Sequence, residues 1–193
     1  MRKFTLTSTL AIAGLLMAFK APAPATWTLD KSHARLGFSI SHLTVSDVEG
    51  SFKKVDASIT TTHDDFSDAV VELTAEVSSV NTDNEQRDKH LLGADFFDAA
   101  KYPTLTFKSR SFKKVKGNTY KVTGDLTLHG ITKPVELTAT ARTGTNPMSR
   151  KPITGFKITG TVKRTDFGIA PSTPGAMLGD EVSLNASAEF TQE

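Results

Sequence analysis

The sequence predicts an all-β fold: one closed antiparallel β-barrel of about eight strands, with a single short helix at about residues 83–92. Nearly every segment after residue 26 alternates apolar and polar residues with period two, which is typical of half-buried strands. The segments follow one another through short turns, and such a meander favours closure because a closed sheet leaves no exposed edge. The 193 residues suffice for one domain with a sizeable core and are too few for two.

The first 25 residues resemble a cleaved export signal. Arg2 and Lys3 give a basic start, residues 10–19 form an apolar run, and Ala23-Pro24-Ala25 is a small-residue cleavage site. A membrane anchor is the alternative, but the run is well short of the ~20 apolar residues that a spanning helix needs. We therefore expect a signal peptide at 1–25, a barrel domain at 26–193 without a membrane span, and a periplasmic or secreted location.

Charge and cysteine content narrow the classes of function. The whole chain has a formal net charge of +2, and removal of the leader with Arg2, Lys3 and Lys20 leaves a domain of net charge −1. A near-neutral domain gives no electrostatic reason to expect binding to nucleic acid or to an anionic membrane surface. The chain has no cysteine, which excludes disulfides, a thiol nucleophile and Cys-ligated metals. Export without disulfides fits a bacterial periplasm or secreted fluid.

The strands are predicted from the apolar positions of each alternating stretch. The phase of the alternation slips between Phe52 and Val55, so we expect a bulge near Lys53-Lys54. In chain order the apolar stripes occupy residues 36–42, 48–52, 55–59, 69–77, 105–107, 120–128, 135–141, 156–162 and 182–190.

One stretch departs from the alternation and predicts the helix. Residues 81–93 open with capping residues such as Asn81 and end at Gly93, which are typical start and stop signals of a short helix. Further on, residues 129–134 are predicted to form a hairpin loop that leads into the strand from Val135. Residues 143–152 and 165–180 are rich in Gly, Pro, Ser and Thr, and we expect them to be loops at a rim or gate.

The sequence contains no nucleophile elbow, no zinc-protease helix motif and no phosphate-binding loop. The histidines lack metal-ligand spacing, so a site built from His42, His63 and a carboxylate has little support.

Phenylalanine is abundant, and the Phe side chains on the stripes either fill a core or line a cavity. Inward glycines at 50, 124 and 160 are expected to leave space. The clusters at 87–88 and 164–168 are either local ion pairs or a site for a polar headgroup together with His42.

The motifs of the chain resemble those of the YceI-like family, also called polyisoprenoid-binding proteins. The resemblance covers roughly residues 26–192, and one departure is Ala34, where the family commonly has Ser. The motifs are Asp30-Lys31-Ser32-His33-Ala34, Phe38-Ser39-Ile40-Ser41-His42, Gly50-Ser51-Phe52, Asn81-Thr82, Arg87-Asp88-Lys89-His90-Leu91, Asp95-Phe96-Phe97-Asp98, Tyr102-Pro103-Thr104-Leu105-Thr106-Phe107, Gly124-Asp125-Leu126-Thr127-Leu128-His129-Gly130-Ile131-Thr132-Lys133-Pro134-Val135, Arg164-Thr165-Asp166-Phe167-Gly168 and Gly179-Asp180-Glu181-Val182.

The resemblance implies an extended lipocalin-like β-barrel, usually periplasmic, that holds a long isoprenoid, isoprenoid-quinone or fatty-acyl ligand in an apolar tunnel for transport, storage or stress response. It implies no catalytic residues and no cofactor other than that lipid, and dimers occur in the family. An enzyme acting on a quinone- or lipid-like substrate and a filled-barrel stress-response interaction module are the alternatives. The expected tunnel residues are Phe38, Ile40, Phe52, Leu91, Phe96, Phe97, Phe107, Phe156 and Phe167, and the expected headgroup residues are His42, Arg87, Arg164 and Asp166.

Overall fold

The structure is a computed structural model that describes residues 23–193. Residues 1–22 of the predicted leader lie outside the described part of the chain, so its cleavage stays a prediction. Two 3₁₀ turns occupy Val77–Ser79 and Arg164–Phe167. The other elements are β1 (Ala25–His42), β2 (Ser46–Phe52), β3 (Val55–Thr61), β4 (Val70–Glu76), β5 (Val80–Asn81), α1 (Glu85–Leu91), β6 (Thr104–Lys116), β7 (Thr119–Leu128), β8 (Ile131–Thr145), β9 (Pro152–Lys163) and β10 (Leu178–Gln192).

The strands form one antiparallel sheet that closes into a barrel. Neighbouring strands follow the order β10-β9-β8-β7-β6-β4-β3-β1, and the pairing of β1 with β10 completes the circle. The short strands β2 and β5 continue β3 and β4 along the same path, since β2 pairs with the second half of β1 and β5 pairs with β2. The ten strand segments therefore make the eight strands of a closed barrel. The predicted all-β, lipocalin-like fold is confirmed.

Three irregularities interrupt the first strands of the barrel, one of them a shift in the β1–β10 register between Ile40 and His42. Lys53 and Lys54 interrupt the path from β2 to β3, where the phase slip of the sequence predicts a bulge. The register between β1 and β10 shifts between Asp30 and Ala34, so β1 carries an irregularity of its own. Together they let the single long strand β1 pair with β3 at one end of the barrel and with β2 at the other.

The connections are tighter than the sequence indicates. The turn between β7 and β8 consists of His129 and Gly130 alone, because Ile131 is already paired with Leu128. Both turn residues have positive φ, 52° and 73°, which matches the type I′ geometry that suits the twist of a hairpin. The prediction of a loop through Pro134 is therefore wrong. The expected loops at 143–152 and 165–180 are also shorter, since β8 reaches Thr145 and β10 begins at Leu178.

The predicted helix is α1, and its start follows from its cap. The side chain of Asn84 accepts a hydrogen bond of 2.9 Å from the backbone N–H of Arg87, which satisfies one free donor of the first turn. No residue of α1 is fully buried, but Leu91 packs on the apolar side chains inside the barrel. Within residues 23–193, no helix is long and apolar enough to cross a membrane.

The inward glycines do not leave empty space, which corrects the expectation from the sequence. A Cβ at Gly50 would overlap the ring of Phe38, one at Gly124 would overlap Phe107, and one at Gly160 would overlap Leu137. Each glycine thus admits a large neighbouring side chain that lies flat against the strand, as aromatic rings do when they cover glycines in designed sheets.

Substitution of Gly50 by alanine is expected to lower the free energy of unfolding by about 1 to 3 kcal/mol, because the added methyl group forces the Phe38 ring out of its place. Urea unfolding followed by fluorescence measures the change. Gly175→Ala is the matched control, since a Cβ there meets no atom within 4 Å. Equal effects of the two substitutions would contradict this account of Gly50.

Candidate functional site

The barrel encloses a cavity of about 760 Å³. It lies between two clusters of apolar side chains, one around Phe156 near the start of β1 and one around Phe167 near its end. Its lining consists mostly of aliphatic and aromatic residues from every long strand, from α1 and from the connection between β9 and β10. Such a cavity falls in the size range of sites for small ligands.

One end of the barrel is closed by a cluster of aromatic rings, which we call the aromatic plug. Phe66 is buried from the β3–β4 connection, with its ring centroid 5.1 Å from that of Trp27 and 5.4 Å from that of Phe156. Phe156 also contacts the rings of Phe112 and Phe190. These tilted and edge-to-face contacts are favourable ring geometries. The cavity therefore ends at the plug.

The walls of the cavity are identified by side chains that point inward and yet are not buried. Along β10, the inward positions Val182, Leu184, Ala186 and Ala188 are only half-buried, and all four line the cavity. A residue inside a closed barrel keeps accessible surface only where it faces open space. The middle of the barrel is therefore hollow, whereas the inward residue Phe190 at the end of the same strand is buried.

The nine residues predicted to line the tunnel all border this cavity. Phe38 contacts the ring of Phe52 at 5.9 Å between centroids, and Phe52 contacts Phe97 edge-to-face at 5.7 Å. The other six lining residues of the prediction are Ile40, Leu91, Phe96, Phe107, Phe156 and Phe167. Their contact with a ligand stays a prediction.

The opposite end of the barrel is the mouth of the cavity. Exposed residues of the lining gather there: His42 at the end of β1, His90 on α1, and Ser172 and Met177 in the β9–β10 connection. Arg35 and Ser187 also belong to the lining and are exposed, but they pair midway along β1 and β10, away from the mouth. The mouth is thus surrounded by a helix and a loop, whereas the other end is closed by the packed rings of the aromatic plug.

Arg164 borders the cavity, but its guanidinium is engaged by the backbone around the β9–β10 connection. Its side chain is buried, with 3 % of the residue exposed, and it donates five hydrogen bonds to backbone carbonyls. Nε bonds Gly179 O at 2.9 Å, and the two terminal nitrogens bond four carbonyls, those of Ile169, Ala170, Thr173 and Leu178. A guanidinium has five N–H donors, so none is left for a ligand.

The other charged candidates differ in position. Arg87 lines the cavity near the mouth. Its Nε–H donates to the side-chain oxygen of Thr82 at 2.7 Å, and one Nη2–H donates to the backbone oxygen of Thr82 at 2.6 Å. Its Nη1 has no partner among residues 23–193, so it can bind an incoming oxygen. His42 also lines the cavity and is exposed. Asp166 is exposed in the 3₁₀ turn whose next residue, Phe167, points inward, and it does not line the cavity.

Sequence reasoning missed His90 and the role of His129. His90 lines the mouth three residues after Arg87 on α1, and its ring contacts Phe96 at 4.8 Å. The spacing of three residues within one predicted helix could have revealed this shared face. Nδ1 of His129 lies 3.0 Å from the carbonyl oxygen of Phe167, so the hairpin turn supports the 3₁₀ turn. No sequence pattern indicates this contact.

Two coupled pKa shifts occur in a cluster on the outer wall, away from the mouth. Asp30, His33 and Glu189 offer ligand atoms within 4.8 Å of one another. Hydrogen bonds from Ser32 and from His33 lower the pKa of the Asp30 carboxyl to about 2, and the Asp30 carboxylate raises the pKa of His33. The predicted combination of His42 and His63 is not the group that the structure brings together.

The pH dependence of this pair has two parts. Asp30 stabilises the fold above the unfolded pKa of 3.8, and this contribution is lost as the pH falls toward 2. His33 contributes fully below 6.5, and its contribution is lost as the pH rises through its raised pKa. Asp30→Asn is expected to lower the pKa of His33 toward 6.5, as measured by NMR titration of the ring. Asp47→Asn, at an exposed position of β2, is the control, and an unchanged His33 pKa in Asp30→Asn would contradict the coupling.

The fold and the cavity define a class of protein, a lipocalin-like barrel with an internal apolar cavity that opens at one end. The chain matches the YceI-like domain over residues 27–190. UPF0312 protein SA2479 of Staphylococcus aureus is 40% identical over 173 residues, which cover 86% of this chain and 96% of that protein. The chain therefore belongs to the YceI-like family.

Solved structures share the fold. A crystal structure of a Campylobacter jejuni YceI protein has 32% sequence identity and a TM-score of 0.73, and the match covers 98% of this chain and 99% of that one. A polyisoprenoid binding domain from Saccharophagus degradans has 16% identity and a TM-score of 0.66, with 86% of this chain and 98% of that chain covered. The second likeness shows the fold alone.

Proposed function

We propose that the protein binds one long apolar lipid, an isoprenoid, isoprenoid-quinone or fatty-acyl chain, inside the barrel. The observation that carries the proposal is the apolar cavity of about 760 Å³, whose inward side chains are half-buried because they face open space. The tail lies toward the aromatic plug, and the polar end stays at the mouth near Arg87, His90 and His42. A periplasmic or secreted carrier or store, with a role in stress response, is the setting that we propose for this binding.

The comparisons add support for the chemical class of the ligand. One structure with the same fold is described as a polyisoprenoid binding domain, so an isoprenoid is the first ligand to test. A filled barrel has no support, because the middle of the barrel is hollow. Binding is also better supported than catalysis, since Asp166, one of the candidate acid–base groups, does not line the cavity.

The test is direct recovery and uptake of lipid. The full chain is purified without detergent, extracted with organic solvent and analysed by mass spectrometry, and the delipidated protein is then titrated with a fluorescent polyprenol added from ethanol. We expect a long-chain lipid in the extract and saturable uptake of one molecule per chain. Repeated extraction without any lipid, together with no uptake of polyprenol or fatty acid, would overturn the proposal.

Arg87 provides a sharper prediction about the polar end of the ligand. Arg87→Met keeps the apolar stem of the side chain but removes the charge, so we expect about tenfold weaker binding of a long fatty acid, which corresponds to about 1.4 kcal/mol. Binding of the matching fatty alcohol should change less than about twofold, because its head carries no charge. Lys89→Met, at an exposed position of the same helix, is the control, and fluorescence displacement measures both ligands. Equal losses for acid and alcohol would contradict a headgroup role.

A further inference from the structure

Three exposed apolar side chains stand beside the mouth of the cavity. Leu43 and Val45 belong to the β1–β2 turn and are 49% and 82% exposed, and Met177 of the β9–β10 connection is 54% exposed. The backbone N–H of Leu43 donates to Met177 O at 3.1 Å, which joins the two segments. We call residues 43–45 together with 171–177 the apolar rim. It is continuous with the cavity, because Met177 and the neighbouring His42 belong to the lining.

The backbone of the turn is unfavourable for the residues that it carries. Leu43 and Thr44 have φ values of 53° and 60°, in the left-handed region that Gly and Asn adopt most readily. Leucine and the β-branched threonine are poor choices there on conformational grounds. The turn therefore carries strain while it displays Leu43 and Val45 to solvent, and strained turns that persist are often functional.

The charge around the apolar rim indicates what kind of surface it fits. Residues 43–46 and 168–177 contain no charged side chain, although charged residues make up 23% of the chain. The charged residues nearest to these segments in sequence are acidic, Asp47 after the turn and Asp166 and Asp180 on either side of the loop, while Arg87 and Asp95 belong to the cavity lining at the same end. An uncharged apolar rim with charges of both signs around it suits a neutral surface better than an anionic one.

The plug end of the barrel has the opposite character. Its exposed apolar residues Val115 and Met148 lie close in sequence to basic residues, Lys114 and Lys116 for the first and Arg150 for the second. Neither Val115 nor Met148 lines the cavity. This end therefore provides a natural comparison for any interaction of the apolar rim.

We propose that the apolar rim docks on the surface of a zwitterionic lipid bilayer, so that the mouth opens against the membrane. This proposal rests on the proposed function, since it describes how the bound lipid enters the cavity. Insertion of Leu43, Val45 and Met177 among the headgroups covers the apolar surface of the rim, and the lipid tail slides from bilayer to cavity without crossing water. Few side chains insert, so the docking is reversible, as exchange of lipid requires.

The chain contains no cysteine, so a single introduced cysteine reports on one position. Val45→Cys and Val115→Cys are each labelled with an environment-sensitive fluorophore in the full chain and mixed with phosphatidylcholine vesicles. We expect a blue shift, and quenching by spin-labelled lipid, at position 45 and neither at position 115. Both variants carry the same residues 1–25, so a difference between their signals reports on positions 45 and 115 themselves.

Transfer of lipid provides the second measurement. The double variant Leu43→Asp with Val45→Asp is expected to take a fluorescent polyprenol from vesicles at least tenfold more slowly than the wild type. Its uptake of the same polyprenol from ethanol should be unchanged, because neither residue lines the cavity. Val115→Asp with Met148→Asp is the matched control and should transfer at the wild-type rate.

The outcomes separate this proposal from the proposed function. Uptake from ethanol with a silent probe at position 45 overturns docking and leaves lipid binding intact, whereas no uptake from either source overturns lipid binding itself. A response that requires anionic lipid, or that is equal at positions 45 and 115, also overturns docking by the apolar rim. So does a dimer, detected by light scattering, that Val45→Asp dissociates, because the rim would then be covered by a second copy.

Discussion

Replacement of Arg164 by methionine is expected to lower the free energy of unfolding by about 3 to 5 kcal/mol, since it removes five hydrogen bonds to backbone carbonyls, of which Ala170 O retains a bond from Thr173 N–H. Methionine preserves the unbranched apolar stem, so loss of packing contributes little. Urea unfolding gives the size of the effect. Hydrogen exchange should show loss of protection in residues 168–178, which the guanidinium holds against the barrel.

Two further variants make the Arg164 experiment specific. Arg142→Met changes an exposed arginine on β8 and should alter the free energy of unfolding by less than about 0.5 kcal/mol. Arg164→Lys retains the charge but offers three donors from one atom instead of a planar fork, so its effect should be intermediate. A similar cost for Arg164→Met and Arg142→Met would show that the five hydrogen bonds contribute little net stability.

Replacement of Ala186 by tryptophan is expected to weaken binding of a long-chain lipid about a hundredfold. Ala186 lies midway along β10, opposite Leu36 on one side and Ile158 on the other, and its side chain faces the cavity. The indole would occupy the path of the lipid tail and exclude about four methylene groups. At about 0.8 kcal/mol for each buried methylene, the loss is about 3 kcal/mol, or roughly a hundredfold in the dissociation constant.

The control for Ala186 is on the same strand. Ser183→Trp places the same side chain on the outer face of β10, where Ser183 is exposed and borders no cavity, so binding should be unchanged. Thermal unfolding of both variants checks that the barrel is intact. Ala186→Leu should give a smaller loss than Ala186→Trp. Wild-type affinity in folded Ala186→Trp would mean that the lipid does not occupy the middle of the barrel.

The sequence predicts the barrel and its inner face well because the alternation of side chains fixes which residues point inward. Phe38 and Phe156 follow from this rule, and α1 follows from the run of capping residues that opens at Asn81 and the stop near Gly93, although the structure places the cap itself at Asn84. Contacts that depend on backbone atoms escape such reasoning. The carbonyls that surround Arg164 leave no trace in the residue pattern, so an arginine engaged by the backbone resembles one that is free to bind a ligand.

Two other features were not predictable for a related reason. Phe66 lies between acidic and polar neighbours in a connection that suggests a solvent-exposed loop, yet its positive φ of 58° turns the ring into the barrel. Gly50 is inward in the alternation, but the pattern cannot show that the ring of Phe38 lies over it. Both depend on which side chain reaches across from another strand, and a period-two pattern contains no such information.

The aromatic plug sets an upper limit on the length of the lipid tail that the barrel is proposed to hold. A tail that enters at the mouth can advance only as far as the rings of Phe66 and Phe156, so each added methylene strengthens binding until the tip reaches them. Beyond that length the surplus carbons remain outside the mouth, and affinity stops rising. A series of fatty alcohols of increasing length should therefore show a plateau, and the chain length at which it begins measures the depth of the barrel.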